Sequence, residues 1–131
     1  MNVYEQSTGK WYGPDSDVWG IGWSGQLGGR NNPIEQAIQD LGPIPEGLYT
    51  IGPAYQHPKL GPITMDLTPD AGDNEFGRSL FRIHGFGSDV IHASEGCIVQ
   101  VATVRTRINA SPDKRLQVVA DVLTALPSPA D

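Results

Sequence analysis

The clearest indication of this chain's architecture is the segment Ser79-Leu80-Phe81-Arg82-Ile83-His84-Gly85, followed after a loop by Cys97-Ile98-Val99-Gln100-Val101. Successive side chains of a strand point to opposite faces of a sheet, so Arg82 and His84 share one face of the first segment. We predict a strand in each segment. If the two strands pair as neighbours, the His84 imidazole and the Cys97 sulfur come together at one rim of the sheet.

The same alternation predicts further strands at residues 18–23, 48–51 and 63–67. Glycine and proline interrupt the chain often: there are 16 Gly and 11 Pro among 131 residues, about a fifth of the total. Frequent turns favour short strands over long helices. The sequence therefore predicts a single, mostly β domain that spans residues 1–131 and carries one or two short helices.

Two helices are predicted beside the strands. The first begins at Asn32 as its cap, with Pro33 in the first helical position. Its apolar face is formed by Ile34, Ile38 and Leu41. The second is C-terminal and has Ser111 as cap and Pro112 in the first position. Its apolar face, at three- and four-residue spacing, is formed by Leu116, Val119, Ala120, Leu123 and Leu126.

The charge balance argues against a nucleic-acid partner. The 9 Lys and Arg against 15 Asp and Glu give a formal net charge of −6, whereas proteins that bind phosphate backbones concentrate basic residues on one face. No window approaches the roughly 18 unbroken apolar residues of a membrane-spanning helix, so we expect no membrane insertion. The first residues carry no signal peptide of the usual kind, which leads us to expect synthesis in the cytoplasm.

Cys97 is the residue best suited to nucleophilic chemistry. A free thiol has a pKa near 8.5, so only about 3% is thiolate at pH 7 and a nucleophilic cysteine needs a neighbouring base. His84 is the obvious base. Gly96 would let a substrate approach the backbone and let the amides of Gly96 and Cys97 turn toward a developing oxyanion. The alternative is that Cys97 is a small buried residue and His84 a structural one.

Three further residues are candidates for substrate contacts. His92 could be a second base or an orienting group, although a histidine in a loop is often only solvated. Arg78 and Arg107 could each bind a substrate carboxylate through two parallel hydrogen bonds, and the alternative for both is a surface ion pair. His57 stands far from any second donor in the sequence, so we expect neither a metal nor a cofactor.

These residues form a pattern that resembles a known family. His84-Gly85 followed by Ser94-Glu95-Gly96-Cys97-Ile98 is similar to the signature of L,D-transpeptidase catalytic domains, which act on peptidoglycan stem peptides through a cysteine acyl-enzyme. Further motifs extend the resemblance, over roughly residues 1–108, to a compact branch that type VI secretion delivers as antibacterial effectors. Those motifs include Trp23-Ser24-Gly25, Asn31-Asn32-Pro33, Gly42-Pro43-Ile44-Pro45 and Gly77-Arg78-Ser79.

The resemblance implies a β-sandwich-like L,D-transpeptidase fold and a division of roles within the site. Cys97 would be the nucleophile and His84 its base. The Gly85 carbonyl would orient the imidazole, and Ser94 would support the motif. The implied reaction removes the terminal D-alanine of a stem tetrapeptide, with water as acceptor in an L,D-carboxypeptidase or a D-amino acid as acceptor in an exchange. Because Glu95 stands where the wall-crosslinking members carry His, we expect trimming or exchange rather than crosslinking.

The resemblance also implies partners and a place of action. The substrate would be the peptidoglycan stem peptide, a cognate immunity protein would block the Cys97 cleft, and a secretion apparatus would carry the toxin into a rival cell's periplasm. Two other functions stay open: a non-catalytic cell-wall-binding module in which Cys97 is structural, and a different Cys-His peptidoglycan hydrolase such as a phage lysis enzyme. Papain-like wall hydrolases usually place Cys before His in the chain, the reverse of the order here.

Overall fold

The computed structural model describes residues 1–85 and 96–125. These residues form ten strands, namely β1 (Asn2–Glu5), β2 (Lys10–Tyr12), β3 (Val18–Ile21), β4 (Trp23–Ser24), β5 (Gly47–Ile51), β6 (Tyr55–His57), β7 (Gly61–Pro69), β8 (Arg82–His84), β9 (Ile98–Val99) and β10 (Arg115–Val119). The same residues form two α-helices, α1 (Ala102–Ala110) and α2 (Val122–Ala125), and two short 3₁₀ helices (Leu27–Gly29 and Pro33–Glu35). The predicted mostly β class is confirmed.

The ten strands of this described part of the chain belong to one sheet. Their order is β3-β2-β1-β10-β5-β7-β8-β9-β4, and β6 pairs with β7 beside this path. β1 runs parallel to β10 and β8 runs parallel to β9. The strands predicted at residues 48–51 and 63–67 are confirmed as the neighbours β5 and β7. The strand predicted at residues 18–23 is divided into β3 and β4, which pair with β2 and β9 respectively.

The core combines side chains from the strands and from α1. Tyr49 and Phe81 meet edge to face with their ring centroids 5.8 Å apart. Val104 and Ile108, one helical turn apart on α1, are buried in the same apolar cluster as Trp11. Burying a large apolar side chain contributes about 1.5–3 kcal/mol relative to leaving it exposed. The strands that carry the candidate site are therefore held on a continuous apolar core.

The C-terminal helix was predicted at the wrong residues. Residues 102–110 form α1, and Ser111-Pro112 ends this helix instead of starting one, because proline cannot continue a helix. The Lys114 ammonium donates to the carbonyls of Ile108 and Asn109, at 3.0 and 2.6 Å, which satisfies two acceptors at the end of α1. A Ser-Pro pair is compatible with either end of a helix, and here it marks the end.

Beyond this point the chain forms β10, where the sequence pattern predicted a helix. Leu116 and Val118 are buried on one face of β10, and Val119, which points to the other face, is buried as well. Within β10, the polar residues Arg115 and Gln117 alternate with Leu116 and Val118 as expected of a strand. Val119 interrupts this alternation, and together with Leu116 and the apolar residues that come after, it imitates helical spacing. In α2, Leu123 is 91% exposed. No helix within the described residues has the length and apolar character needed to cross a bilayer.

The helix predicted after Asn32 is a single turn. Asn32 caps it as expected, by accepting a hydrogen bond from the Ile34 amide, but Ile34 is 87% exposed and the predicted apolar face is not buried. The Gln36 carbonyl, which a longer helix would use internally, accepts a hydrogen bond from the Arg78 guanidinium at 2.6 Å. The chain from residue 36 to residue 43 is therefore a loop tied to Arg78, and this loop forms one wall of the candidate site.

Candidate active site

The segments that carry the predicted nucleophile and base lie side by side. β8 and β9 pair in parallel, with Ile83 opposite Ile98 and His84 opposite Val99. Both strands are shorter than predicted, at 3 and 2 residues. The predicted adjacency of the two strands is confirmed. His84 therefore stands beside the segment that begins with Cys97.

A cleft of about 480 Å³ opens at this strand pair. Its lining includes Arg82, His84 and Cys97 from the two strands and the segments next to them. The loop before β5 contributes Asp40, and the β6–β7 hairpin contributes His57. Pockets that bind small molecules typically measure roughly 300–1,000 Å³. The cleft is therefore large enough for the end of a short peptide.

His84 is held as a neutral base. Its Nδ1 contacts the Gly85 carbonyl oxygen, so Nδ1 carries the proton and Nε2 keeps its lone pair. Burial lowers the pKa of His84 below the usual 6.5, and this desolvation outweighs the Gly85 hydrogen bond, which acts in the opposite direction. The positive charge of Arg105 lowers the pKa further, with smaller contributions from His57 and Arg82. The imidazole is therefore unprotonated at neutral pH and can accept a proton.

Cys97 is half-buried, and its Sγ lies 3.7 Å from the carbonyl oxygen of Leu80. Leu80 has a backbone φ of +62°, a left-handed conformation that residues with side chains rarely adopt. Its side chain is 73% exposed, so burial of that side chain does not offset the strain. The unusual backbone directs the Leu80 carbonyl toward the sulfur.

Arg78 is buried and does not line the cleft. Its guanidinium donates three hydrogen bonds to carbonyl oxygens of the loop at residues 36–43. The acceptors are Gln36 at 2.6 Å, Pro43 at 2.7 Å and Gly42 at 3.0 Å. A Cβ at Gly96, whose φ is +116°, would lie 2.0 Å from Arg78 Nη2. Arg78 therefore packs against the backbone that precedes Cys97, and this placement favours a supporting role over direct contact with a substrate carboxylate.

Arg107 does not join this cluster. The Arg107 guanidinium lies 4.1 Å from the centre of the Trp19 ring and 3.9 Å from the Asp15 carboxylate, which matches the surface ion pair considered as its alternative. Arg107 does not line the Cys97 cleft. His92 and Ser94 lie outside the described residues. Their predicted roles remain predictions.

Arg105 is a second buried arginine next to the site. It donates to the carbonyls of Gln100 and Pro62, at 2.9 and 2.6 Å. A Cβ at Gly85 would lie only 2.8 Å from its Nη2. Arg105 therefore packs against the residue that orients His84. The glycine at position 85 is needed for this close approach of a guanidinium to the backbone.

Arg82 is a cleft residue that we did not predict as functional. Its Nε donates to the Tyr55 hydroxyl and to the Asp66 carboxylate, at 3.2 Å each, and the Tyr55 hydroxyl donates to Asp66 at 2.6 Å. Burial alone would lower the pKa of Arg82, but its hydrogen bond to Tyr55 and the negative charge of Asp66 raise it above the usual value. The strand alternation that placed Arg82 on the face of His84 was the signal that could have identified it.

His57 is a second histidine in the cleft, brought there by the β6–β7 hairpin. Its Nδ1 accepts hydrogen bonds from the backbone amides of Lys59 and Leu60, at 3.0 and 3.1 Å. The neutral ring therefore carries its proton on Nε2. Among residues 1–85 and 96–125, no three His, Cys, Asp or Glu side chains are grouped so as to hold a metal ion.

Comparison with known proteins identifies a related family. A family model described as the Tlde1 domain matches the chain over residues 20–122. The matched span contains β8, β9, α1 and the cleft residues Asp40, His57, Arg82, His84 and Cys97, whereas β1 and β2 precede it. No curated protein and no solved structure matches the chain.

Proposed function

The chain belongs to the Tlde1 domain family, a family of type VI secretion effectors, and on that premise we propose that it is a cysteine-dependent enzyme of peptidoglycan stem peptides. The observation that carries the proposal is that Cys97 and a neutral, oriented His84 line one cleft. A thiol and an unprotonated imidazole in one cleft are the parts of an activated nucleophile.

In the proposed reaction, the Cys97 sulfur attacks the carbonyl carbon of the bond between the diamino acid and the terminal D-alanine. His84 Nε2 takes the thiol proton and passes it to the leaving nitrogen as the C–N bond breaks. Free D-alanine leaves, and the shortened stem peptide remains bound to Cys97 as a thioester. The backbone amides of Gly96 and Cys97 are suited to stabilise the oxyanion of the tetrahedral intermediate.

The acceptor determines the second half of the reaction. Water that His84 deprotonates hydrolyses the thioester, and the net reaction is that of an L,D-carboxypeptidase. The amine of a D-amino acid forms a new amide instead, and the net reaction is an exchange. Both outcomes consume tetrapeptide stems in the wall of a rival cell. A cognate immunity protein that covers the cleft would protect the producing cell.

Mass spectrometry of tetrapeptide muropeptides incubated with the purified protein tests the proposal. We expect loss of the terminal D-alanine, exchange with a supplied D-amino acid, and a transient mass increase on the protein that corresponds to the Cys97 thioester. Cys97→Ala should abolish turnover, and His84→Gln should lower kcat by about 10²- to 10⁴-fold. Urea unfolding of both variants serves as the control for folding. Wild-type rates from both would contradict the assignment of these residues.

Alkylation of the thiol separates a catalytic Cys97 from a structural one. The chain has one cysteine, so labelling by iodoacetamide reports on this position alone. A catalytic Cys97 should react in the native state at a pH below that needed by an ordinary thiol, and His84→Gln should slow the reaction. A sulfur that reacts only after unfolding would favour the structural alternative.

A further inference from the structure

We propose that Arg82 binds the free carboxylate of the terminal D-amino acid, and that this contact restricts the enzyme to the last residue of the stem peptide. The inference rests on the proposed function and identifies the group that recognises its substrate. It also gives the carboxylate-binding role to a different arginine from the two, Arg78 and Arg107, that the sequence suggested.

The position of Arg82 supports this role. Arg82 and His84 are two residues apart on β8, so their side chains leave the same face of the strand. Both line the cleft that contains Cys97. In the substrate, only the amide nitrogen and the α-carbon separate the terminal carboxylate from the carbonyl that Cys97 attacks. The group that binds this carboxylate must therefore lie close to the nucleophile.

The orientation of the guanidinium is the second support. Arg82 uses Nε for both of its hydrogen bonds, to Tyr55 and Asp66, and no described residue accepts a hydrogen bond from Nη1 or Nη2. A guanidinium can present two parallel N–H groups to the two oxygens of one carboxylate. Tyr55 and Asp66 therefore fix the plane of the group and leave its terminal edge available to a ligand.

A second arginine of the molecule shows the contrasting arrangement. Arg115 on β10 binds Asp70 through both terminal nitrogens, at 2.9 and 2.6 Å, so its bidentate edge is occupied within the protein. Asp66 contacts Arg82 only through Nε, and it leaves the equivalent edge of Arg82 open. The other basic side chain of the cleft, Lys59, is an exposed ammonium on a flexible stem and offers no fixed edge.

One carboxylate site serves both halves of the reaction. In the exchange, the incoming D-amino acid attacks the thioester along the reverse of the path by which D-alanine left, so its carboxylate occupies the same place. The C–N bond that forms is equivalent to the one that broke earlier, and the C–S bond of the thioester breaks as it forms. His84 takes the proton lost by the incoming amine and returns it to the Cys97 sulfur. A D-amino acid whose carboxylate is converted to an amide should therefore be a poor acceptor.

Kinetics on two matched substrates test the inference in the full-length protein. One is a tetrapeptide muropeptide with a free C-terminal carboxylate, and the other is the same molecule with a C-terminal amide. We expect wild-type kcat/KM to be about 10- to 100-fold lower on the amide. Arg82→Gln should lower kcat/KM by a similar factor on the free acid, mostly through KM, and leave the amide unaffected. Arg82→Lys should retain part of the preference, and Arg115→Gln should retain all of it.

The outcomes separate this inference from the proposed function. If the wild type turns over both substrates equally well, or if Arg82→Gln slows both equally, Arg82 does not recognise the carboxylate and only the present inference is overturned. If the wild type turns over neither substrate, the proposed function fails and the inference fails with it. A parallel measurement with a D-amino acid and its amide as exchange acceptors should show the same preference, again lost in Arg82→Gln.

Discussion

A side chain at position 96 would collide with Arg78, so the backbone that precedes the proposed nucleophile Cys97 depends on a glycine. A Cβ there would lie 2.0 Å from Arg78 Nη2, and the φ of Gly96 is +116°. We predict that Gly96→Ala lowers the free energy of unfolding by about 3 kcal/mol and kcat by more than about tenfold. Gly77→Ala is the matched control, because Gly77 has a φ of +74° with no neighbour within 4 Å of its Cβ position. Gly77→Ala should lower the free energy of unfolding by about 1 kcal/mol and leave kcat unchanged. Equal losses of stability and of kcat in the two variants would contradict a collision between the methyl group added at position 96 and Arg78.

The protonation of His84 should be visible in the pH dependence of the reaction. Burial lowers the pKa of this imidazole, and only its neutral form accepts the thiol proton. We therefore predict that kcat/KM declines in acid with a midpoint below the ordinary histidine value of about 6.5, and that this midpoint reports the pKa of His84 in the free enzyme. This decline of kcat/KM at low pH should be absent from the His84→Gln variant. A midpoint above the ordinary histidine value would show that the base is not the desolvated residue described here.

At the residue scale, the sequence indicated the proposed reacting pair but not the residues around it. Cys97 and His84 were recognisable because each carries its chemistry in its own side chain and because local alternation placed them at adjoining strand ends. The orientation of the Arg82 guanidinium was not recognisable, because it depends on hydrogen bonds to Tyr55 and Asp66. The β6–β7 and β7–β8 pairings bring these two residues to Arg82. Contacts between elements of this kind are not encoded in local spacing.

At the scale of elements, two leucines distinguish the strand β10 from the helix that the sequence pattern predicted. In a helix over residues 111–126, Leu116 and Leu123 would share one buried face. In the structure Leu116 is 0% and Leu123 is 91% exposed. We predict that Leu116→Ala lowers the free energy of unfolding by about 2–5 kcal/mol, whereas Leu123→Ala changes it by less than about 0.5 kcal/mol. Urea unfolding measures both, and similar losses would favour the helix.

Arg78 provides a second test at this scale, because it ties the loop at residues 36–43 to the segment that carries Cys97. A lysine has one nitrogen in place of the two, Nη1 and Nη2, through which the guanidinium bonds three carbonyls. We predict that Arg78→Lys lowers the free energy of unfolding by about 2 kcal/mol and lowers kcat while KM changes little. If Arg78 bound the substrate, Arg78→Lys would instead raise KM and leave the free energy of unfolding unchanged. Arg115→Lys controls for the loss of a guanidinium outside the cleft.

At the scale of the whole molecule, the strands that the sequence predicted are arranged by pairings between distant segments. β10 lies between β1 and β5, although it follows β1 by most of the length of the chain and β5 by about half of it. Local propensity indicates that a segment is extended, but it does not indicate its neighbour, because register depends on which apolar faces meet. The mostly β class and the β8–β9 adjacency were therefore predictable. The order of the sheet and the course of the C-terminal segment were not.

The stability of the whole molecule should decline in acid in two separate stages. The folded state lowers the pKa of His84, so below pH 6.5 the unfolded chain binds a proton that the folded chain does not, and stability falls by up to about 1.4 kcal/mol per pH unit. Hydrogen bonding to Arg115 lowers the pKa of Asp70 from 3.8, so this stabilisation is present above that pH and is lost below it.

Urea unfolding between about pH 3 and pH 8 separates these two stages. We expect His84→Gln to remove the decline that begins below about pH 6.5 and to leave the decline below about pH 4 in place. Asp70→Asn should leave the first decline unchanged and reduce the second, to which Asp113, whose pKa is also lowered, contributes as well. An unchanged decline in His84→Gln would mean that the imidazole is equally solvated in the folded and unfolded states. The proposed base would then lack the burial that keeps it unprotonated, and the resting protonation of the Cys97 site would need another explanation.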